Sequence, residues 1–219
     1  MIEKDKKITR NQDLTFVKGV NLLEQFNDDL QYCSLSVINQ DKNKLHPTEL
    51  SLMAREALKM ILPQINTISL DQTQFGNLTH LPLIKLSFSH TQYNGVINSG
   101  ALCYVQPSSK ILDLGLDIEN KNRVVNSRVE KYFIPEGKEM YSDFSTLELW
   151  VLKEAIYKAL NARMYRHDVK NKENQEVFPL HKIQLTHEFL HTNKIVYGLY
   201  LDENSLIGMA LKLSESYNF

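Results

Sequence analysis

The sequence predicts an α+β fold, because segments with strand periodicity alternate along the chain with segments of helical periodicity. The clearest strand runs from Leu112 to Glu119, where apolar residues alternate with polar or small ones, as in a strand with one buried face. The clearest helix is predicted at 147–162, where apolar residues recur at spacings of three and four. Paired strands are predicted towards the C-terminus at 181–190, 194–201 and 205–213.

The N-terminal part of the chain shows the same coarse order of strand, helix and paired strands. A strand is predicted at Leu30–Ile38. A helix should begin at Pro47 and end at Pro63, because proline fits the first turn of a helix but not its interior. Two more strands are predicted at about 83–90 and 95–105.

A chain of 219 residues fits one large domain or two small ones. We divide it into an N-terminal half, 1–110, and a C-terminal half, 111–219. Within the first half, residues 1–29 form an extension that this pattern does not explain, with a short helix predicted from Phe16 to Phe26. In the second half the loop Arg166–Glu176 is charged and polar, so we expect it to be mobile.

Charge and composition narrow the classes of function. The 25 basic and 26 acidic residues nearly cancel, so no general attraction for nucleic acid or membrane is expected, and any phosphate binding must be local. No apolar stretch approaches the length of a membrane span, and the first residues lack the apolar core of a secretion signal. Cys33 and Cys103 lie in apolar, strand-like surroundings and are predicted to be buried thiols. We therefore expect a cytoplasmic protein.

The predicted strand at 112–119 carries two carboxylates on one face. Asp117 and Glu119 are two residues apart, so they project from the same side, roughly 6 to 7 Å from each other. Like charges at that distance repel, and a divalent cation with oxygen ligands is the usual way to neutralise them. The strand is therefore a candidate metal site.

The predicted helix adds a third carboxylate between two lysines. Glu154 and Lys158 are i, i+4 neighbours, whereas Lys153 lies about 100° around the helix from Glu154. By themselves these residues are more typical of a surface array of ion pairs than of a catalytic site. Trp150, on the same stripe as Glu154, is interpreted as a core anchor for the helix.

A third group of polar residues ends the strand predicted at 83–90. Ser87, Ser89, His90 and Thr91 provide several hydrogen-bond donors within five residues, which is one way to build an anion pocket, although a single histidine at a strand end is commonly a packing residue. The other histidines show no ligand spacing: His46, His80, His167, His181, His187 and His191. His187 and His191 are four residues apart, but their segment is predicted to be a strand, so a helical metal pair is not expected.

Taken together, these three groups resemble the signature of the Sfp-type 4′-phosphopantetheinyl transferases. That signature joins a Ser-x-Ser-His segment, a Gly-x-Asp-x-Glu strand and a Trp-x-x-Lys-Glu-Ala-x-x-x-Lys helix. This chain carries the three parts in order, at Ser87–His90, Gly115–Glu119 and Trp150–Lys158. Three ordered motifs are far more specific than any one of them, and the resemblance covers roughly residues 30–213.

The resemblance implies a fold of two similar α/β halves that form a pseudo-dimer, with the site in the cleft between them. It implies transfer of the 4′-phosphopantetheine arm of coenzyme A to a serine of an apo acyl or peptidyl carrier protein, with release of 3′,5′-ADP. It also implies a monomer that binds neither nucleic acid nor membrane. The carriers of fatty-acid, polyketide and peptide synthesis are equally compatible with the sequence.

The resemblance also assigns roles to individual residues. Mg²⁺ would be held by Asp117, Glu119 and Glu154. Glu154 would accept the proton of the attacking serine, and Lys158 would act with it at the phosphates. The residues expected to bind coenzyme A are His90, Ser89, Arg55, Lys153 and Lys158.

Departures from the family pattern concern the nucleotide end of the pocket. The first helix offers only Arg55 and Lys59 where the family is rich in arginine, and Gly76-Asn77-Leu78 replaces a Gly-Lys-Pro. Residues 161–165 replace a glycine-rich turn. Two alternatives stay open: a non-catalytic relative that binds coenzyme A or a carrier protein, and a different metal-dependent phosphate hydrolase.

Overall fold

The computed structural model of the protein describes residues 6–26, 29–38, 45–63, 84–104, 110–135, 137–162 and 177–217. Within these ranges the chain forms two antiparallel four-stranded sheets and five α-helices, which confirms the predicted α+β class. In chain order the elements are β1 (Lys7–Arg10), β2 (Thr15–Gly19), α1 (Leu22–Gln25), β3 (Leu30–Ile38), α2 (Pro47–Ile61), β4 (Lys85–Tyr93), β5 (Val96–Tyr104), β6 (Ile111–Asn120), α3 (Ser127–Phe133), α4 (Thr146–Asn161), α5 (His187–Thr192), β7 (Ile195–Leu201) and β8 (Ser205–Leu213).

Three strands of each sheet share the same connectivity, although the sequence shows no repeat, whereas the fourth strand is added differently: β1 pairs with the first strand of its half, β3, and β2 pairs with the second strand of its half, β7. The first sheet has the strand order β1-β3-β5-β4, and the second has the order β2-β7-β8-β6. In each half a strand is followed by a long helix and then by two strands: β3-α2-β4-β5 in the first half and β6-α4-β7-β8 in the second. The last strand of each half, β5 or β8, lies between the other two in the sheet.

Each sheet packs a helix on one face and the other sheet on its opposite face. The core between the sheets includes Leu30 and Leu102 from the first sheet and Leu116 and Met209 from the second. Helix α2 covers the outer face of the first sheet, where the thiols of Cys33 and Cys103 are buried, as predicted. Helix α4 covers the outer face of the second sheet.

The two long helices begin where their capping residues predict. Pro47 occupies the first turn of α2, and the side chains of His46 and Glu49 cap that end reciprocally. Helix α4 begins with the same kind of box, formed by Ser145 and Glu148. These local signals explain why both helices were located from the sequence to within about two residues.

The N-terminal segment joins the outer edges of the two sheets. Strand β1 pairs with β3 and β2 pairs with β7, so the short link between them crosses from one sheet to the other. Asn11 in that link donates to the carbonyl of Leu30 and accepts from the N–H of Tyr32. The helix predicted from Phe16 to Phe26 is therefore wrong over its first part, because pairing with β7 holds β2 extended and only α1 is helical.

The opposite edges of the sheets meet where β4 lies beside β6. The hydroxyls of Ser87 and Ser89 accept hydrogen bonds from the N–H groups of Leu116 and Ile118, at 2.9 and 3.1 Å. These N–H groups lie on the side of β6 that faces away from β8, so they would otherwise be unpaired. Serine side chains thus replace a backbone ladder at this junction.

The segment predicted as a strand at 181–190 is not a strand. It contains a 3₁₀ turn, Leu180–Lys182, and helix α5. The Thr186 hydroxyl accepts from the N–H of Phe189 and caps α5, while Phe189 and Leu190 pack on the core beside α4.

The predicted mobile loop Arg166–Glu176 and the Gly76–Leu78 departure lie outside the described residues. No helix in the described ranges is long and apolar enough to cross a membrane.

Helix α4 approaches β6 as closely as a backbone can. A Cβ atom added to Gly115 would lie 1.9 Å from the carbonyl oxygen of Ala155 and 2.7 Å from the backbone nitrogen of Ala159. Gly208 on the neighbouring strand meets the carbonyl of Val151 in a similar way, at 2.8 Å. The glycine of the Gly-x-Asp-x-Glu motif is therefore required by packing, since any side chain would push the helix away.

We expect Gly115→Ala to lower the free energy of unfolding by about 3 kcal/mol or more, because rigid backbone blocks the new methyl group. Gly100→Ala is the matched control, since its Cβ would mainly meet the end of the flexible Ile118 side chain. That variant should lose about 1 kcal/mol. Urea unfolding measures both, and equal losses would contradict the close packing described for α4.

Candidate active site

A cavity of about 740 Å³ opens where β4 meets β6 and where α2 and α4 approach each other. This volume is in the range of cavities that hold small-molecule ligands. Six of its lining residues were singled out from the sequence as site residues: Arg55 on α2, Ser89 and His90 on β4, Asp117 on β6, and Glu154 and Lys158 on α4. The tertiary structure therefore brings residues of all three motifs to one place.

Asp117 is buried and only partly satisfied. The residue is 7% exposed, and its Oδ1 accepts hydrogen bonds from Ser89 Oγ at 2.9 Å and from Lys158 Nζ at 2.7 Å. Its Oδ2 is also buried but has no hydrogen-bond partner in the described parts of the chain. A buried carboxylate oxygen without a partner is costly, so this atom is where a bound cation or donor would be stabilised most.

Glu119 has both carboxylate oxygens engaged by the protein itself. Thr91 Oγ1 donates to Oε2 and Arg123 Nη1 donates to Oε1, each at 2.6 Å. Glu119 does not line the cavity. The structure thus separates the two acids of the strand: Asp117 lines the cavity and has one buried oxygen without a partner in the described residues, whereas Glu119 is held by its own partners.

Lys158 links the helix to the acidic strand. Besides its ion pair with Asp117, its ammonium donates to the carbonyl of Leu116 at 2.8 Å and lies 3.4 Å from Ser89 Oγ. Its side chain is a quarter exposed and lines the cavity, so the charge also reaches a ligand there.

Glu154 titrates in an unusual range. Burial and the negative charge of Asp117 raise the pKa of Glu154 to about 7; Lys158 partly offsets this increase and Glu119 adds to it. All three carboxylates are therefore within electrostatic reach of one another. A carboxyl group that changes its charge near neutral pH and faces a cavity has the properties of a general base.

The chain neutralises much of its own acidic charge. The repulsion between Asp117 and Glu119, which the sequence assigned to a metal ion, is relieved by Lys158 on one acid and by Arg123 on the other. No group of three His, Cys, Asp or Glu side chains among the described residues is gathered tightly enough to hold a metal ion. Two carboxylates remain turned to the cavity, and Mg²⁺ is commonly bound by one or two carboxylates together with water and substrate phosphates.

His90 on β4 and Arg55 on α2 line the cavity from different elements. His90 lies beside Lys158, and partial burial together with this ammonium lowers the pKa of the imidazole. The lowered pKa favours the neutral ring, which has a single N–H donor. Arg55 adds a permanent positive charge to the lining. Lys59, four residues further along α2, does not line the cavity.

Two residues of the helix motif turn away from the cavity. Lys153 is completely buried; its ammonium donates to the carbonyl of Phe133, the last residue of α3, at 2.7 Å and lies over the ring of Tyr141. Its predicted contact with coenzyme A is therefore not supported by its position, which instead ties α3 to α4. Trp150 packs edge to face on Phe133, as expected for a core anchor.

The serine hydroxyls of β4 are used differently from the sequence prediction. Ser89 lines the cavity, but its hydroxyl already accepts from the Ile118 N–H and donates to Asp117. Ser87 is likewise engaged with Leu116. The serine hydroxyls of this segment therefore mainly join β4 to β6 and orient Asp117.

Sequence reasoning missed Arg123. It returns over Glu119 because the chain turns sharply after β6: Asn120 accepts from the N–H groups of Asn122 and Arg123, through its side chain and its carbonyl. An asparagine-rich turn after the acidic strand was the available signal. An arginine four residues after a strand glutamate has no periodic relation to it, so only the turn geometry reveals the pair.

No protein-family model matches the sequence, and no curated protein matches it either.

We expect Glu154→Gln to raise the free energy of unfolding at pH 8, measured in the presence of a chelator. The ordinary glutamate pKa is 4.5, so the folded wild type binds more protons than the unfolded chain between pH 4.5 and 7 and loses stability as the pH rises through that window. The advantage of the variant should be on the order of 1–3 kcal/mol at pH 8 and vanish below pH 4.5.

Glu148→Gln is the control with the opposite sign. Burial opposes the shift, yet hydrogen bonds from Ser145 and Lys18 lower the pKa of Glu148, so its ionised form stabilises the fold. The free energy of unfolding of the variant should therefore fall further below that of the wild type as the pH rises. Urea unfolding at several pH values tests both. A pH-independent difference for Glu154→Gln would mean that Glu154 titrates like a solvent-exposed acid.

Proposed function

We propose that the protein transfers the 4′-phosphopantetheine arm of coenzyme A to a serine of an apo acyl or peptidyl carrier protein and releases 3′,5′-ADP. The observation that carries this proposal is the convergence of Asp117, Glu154, Lys158 and His90 on one cavity. They come from three motifs spread over 69 positions of the chain, 90 to 158, and nothing in local structure requires them to meet.

The architecture supports the same proposal. Two halves whose three-stranded cores have the same connectivity pack sheet against sheet, and the cavity lies where the edge strands β4 and β6 meet. This is the arrangement expected of a pseudo-dimer with its site between the halves. The reaction needs a pocket open to a second macromolecule, and a cleft between two halves is a common location for such a site.

Asp117 and Glu154 are the residues that would hold Mg²⁺. Asp117 offers its unpartnered Oδ2, and Glu154 offers a carboxylate that ionises more readily once a cation is near. When bound, Mg²⁺ neutralises charge on the pyrophosphate oxygens of coenzyme A. Glu119 supports the cluster from outside the cavity, since Thr91 and Arg123 hold both of its oxygens.

The remaining chemistry is assigned to side chains of the cavity. The serine of the carrier must lose a proton as it attacks the β-phosphorus, and Glu154, which lines the cavity, accepts it. Lys158 keeps Asp117 in place and presents positive charge to the phosphates. Arg55 and the N–H of His90 are placed to bind the 3′-phosphate end of coenzyme A, and Ser89 fixes the orientation of Asp117.

Mass spectrometry of a carrier protein tests the proposal directly. The protein is mixed with coenzyme A, Mg²⁺ and an apo carrier, and the proposal requires the carrier to gain one phosphopantetheine arm while 3′,5′-ADP appears. Coenzyme A bound without any mass gain would indicate a binding protein. Cleavage products with an unmodified carrier would indicate a hydrolase, and both outcomes contradict transfer. A panel of fatty-acid, polyketide and peptide-synthetase carriers makes the test independent of carrier choice.

The effect of substituting each carboxylate on the transfer rate should depend on whether that carboxylate lines the cavity. Asp117→Asn and Glu154→Gln should lower the transfer rate by about 100-fold or more, because each removes a charge that faces the cavity. Glu119→Gln is the matched control and should reduce the rate far less, since Glu119 does not line the cavity. Rates come from the same mass assay with folding checked by circular dichroism. Equal losses in all three variants would instead place Glu119 among the metal ligands.

His90→Ala should weaken binding of coenzyme A more than it slows turnover. A neutral imidazole that donates one hydrogen bond to a phosphate contributes to binding, so the KM for coenzyme A should rise by about tenfold while kcat at saturation changes little. Steady-state kinetics with varied coenzyme A measures the two constants. A fall in kcat at constant KM would move His90 from binding to the chemical step.

A further inference from the structure

Helix α5 carries two histidines that the candidate active site does not use. His187 and His191 are four residues apart, and their rings lie face to face with centroids 5.9 Å apart and planes inclined by 15°. Both side chains are exposed. The sequence predicts a strand here, in which these two histidines would not form a helical metal pair, but the segment is a helix. In a helix, i and i+4 side chains lie on the same face.

The short helix is held rigidly at both ends and along its inner face. Thr186 caps its start, and the Asn193 side chain donates to the carbonyl of Phe189 at its end. Phe189 and Leu190 pack on the core beside α4, with Phe189 in edge-to-face contact with Phe178. The histidine pair thus projects outward from an anchored turn, so little conformational entropy has to be lost when both rings bind one ion.

The chemistry of the pair selects a class of ion. Neutral imidazole nitrogen is a good ligand for Zn²⁺, Cu²⁺ and Ni²⁺ and a poor one for Mg²⁺. The imidazole–metal distance is about 2.0–2.1 Å, so a small rotation of either ring brings both nitrogens to a common ion. Glu188, exposed and three residues before His191, adds a negative charge within the same turn, which favours a cation.

We propose that His187 and His191 form a two-histidine surface site for a transition-metal dication of the zinc, copper or nickel type, with water completing the coordination. The site is separate from the cavity, because no residue of α5 lines that cavity. It does not depend on the proposed transferase activity. Ion selectivity distinguishes it from the carboxylate site, which suits Mg²⁺.

The test titrates the untagged full-length chain with Zn²⁺ by calorimetry, with Mg²⁺ in excess so that the carboxylates of the cavity are occupied. The decisive variant combines His191→Thr with Thr192→His, which keeps the composition but moves one imidazole about 100° around the helix. Wild type should bind Zn²⁺ at least about tenfold more tightly than this variant, because the second imidazole binds at high effective concentration. Cu²⁺ bound to the wild type should show two nitrogen ligands from this pair by electron paramagnetic resonance.

Two further variants complete the test. His187→Gln should lose the same affinity as the rearranged variant, because a single imidazole remains. His181→Gln is the matched control: His181 is exposed and lies against the ring of Tyr132, so its removal should leave Zn²⁺ affinity unchanged. Exposed substitutions of this kind should leave the fold intact, which thermal unfolding without metal verifies. Equal Zn²⁺ affinity of wild type and the rearranged variant would overturn the proposal, as would a loss of binding in His181→Gln of the same size.

Discussion

The contact between the backbone of α4 and Gly115 determines the geometry of the candidate site. Because Gly115 has no side chain, the carbonyl of Ala155 lies directly against the strand, and Gly208 allows the same approach on the next strand. Glu154 precedes the contact residue by one position and Lys158 follows it within one turn. Asp117 lies two residues beyond the glycine on the same face of the strand. A single steric constraint therefore brings Glu154 and Lys158 of the helix close to Asp117 of the sheet.

The junction between the two sheets serves stability and the site with the same atoms. The hydroxyl of Ser89 accepts a hydrogen bond from the N–H of Ile118 at the edge of β6 and donates one to Asp117, which orients that carboxylate. The hydroxyl of Thr91 orients Glu119 in the same way. At the opposite edges, the link between β1 and β2 joins the sheets covalently. The two sheets are thus closed along both edges, which limits their relative movement and keeps residues from both halves at a constant separation around the cavity.

The electrostatic arrangement of the site leaves one group poised to titrate. Lys158 and Arg123 each neutralise one acid of the strand, so Asp117 and Glu119 can be buried without a bound ion. In the described parts of the chain Glu154 forms no ion pair of its own. Burial and repulsion from Asp117 therefore raise its pKa to about 7. The same arrangement leaves Asp117 and Glu154 as the two carboxylates of this cluster that line the cavity.

Local periodicity and capping residues were sufficient to determine β3, β6, β8 and the two long helices, since such patterns depend on neighbours along the chain. Helical periodicity also placed Glu154 and Lys158 on one stripe and Lys153 on another, which the structure bears out. Only the tertiary structure decided that β2 is a strand, that α5 is a helix, and that Arg123 pairs with Glu119. These outcomes depend on pairing with β7, on burial of Phe189 and on the turn after β6, and contacts between distant parts of the chain leave no periodic trace in the sequence.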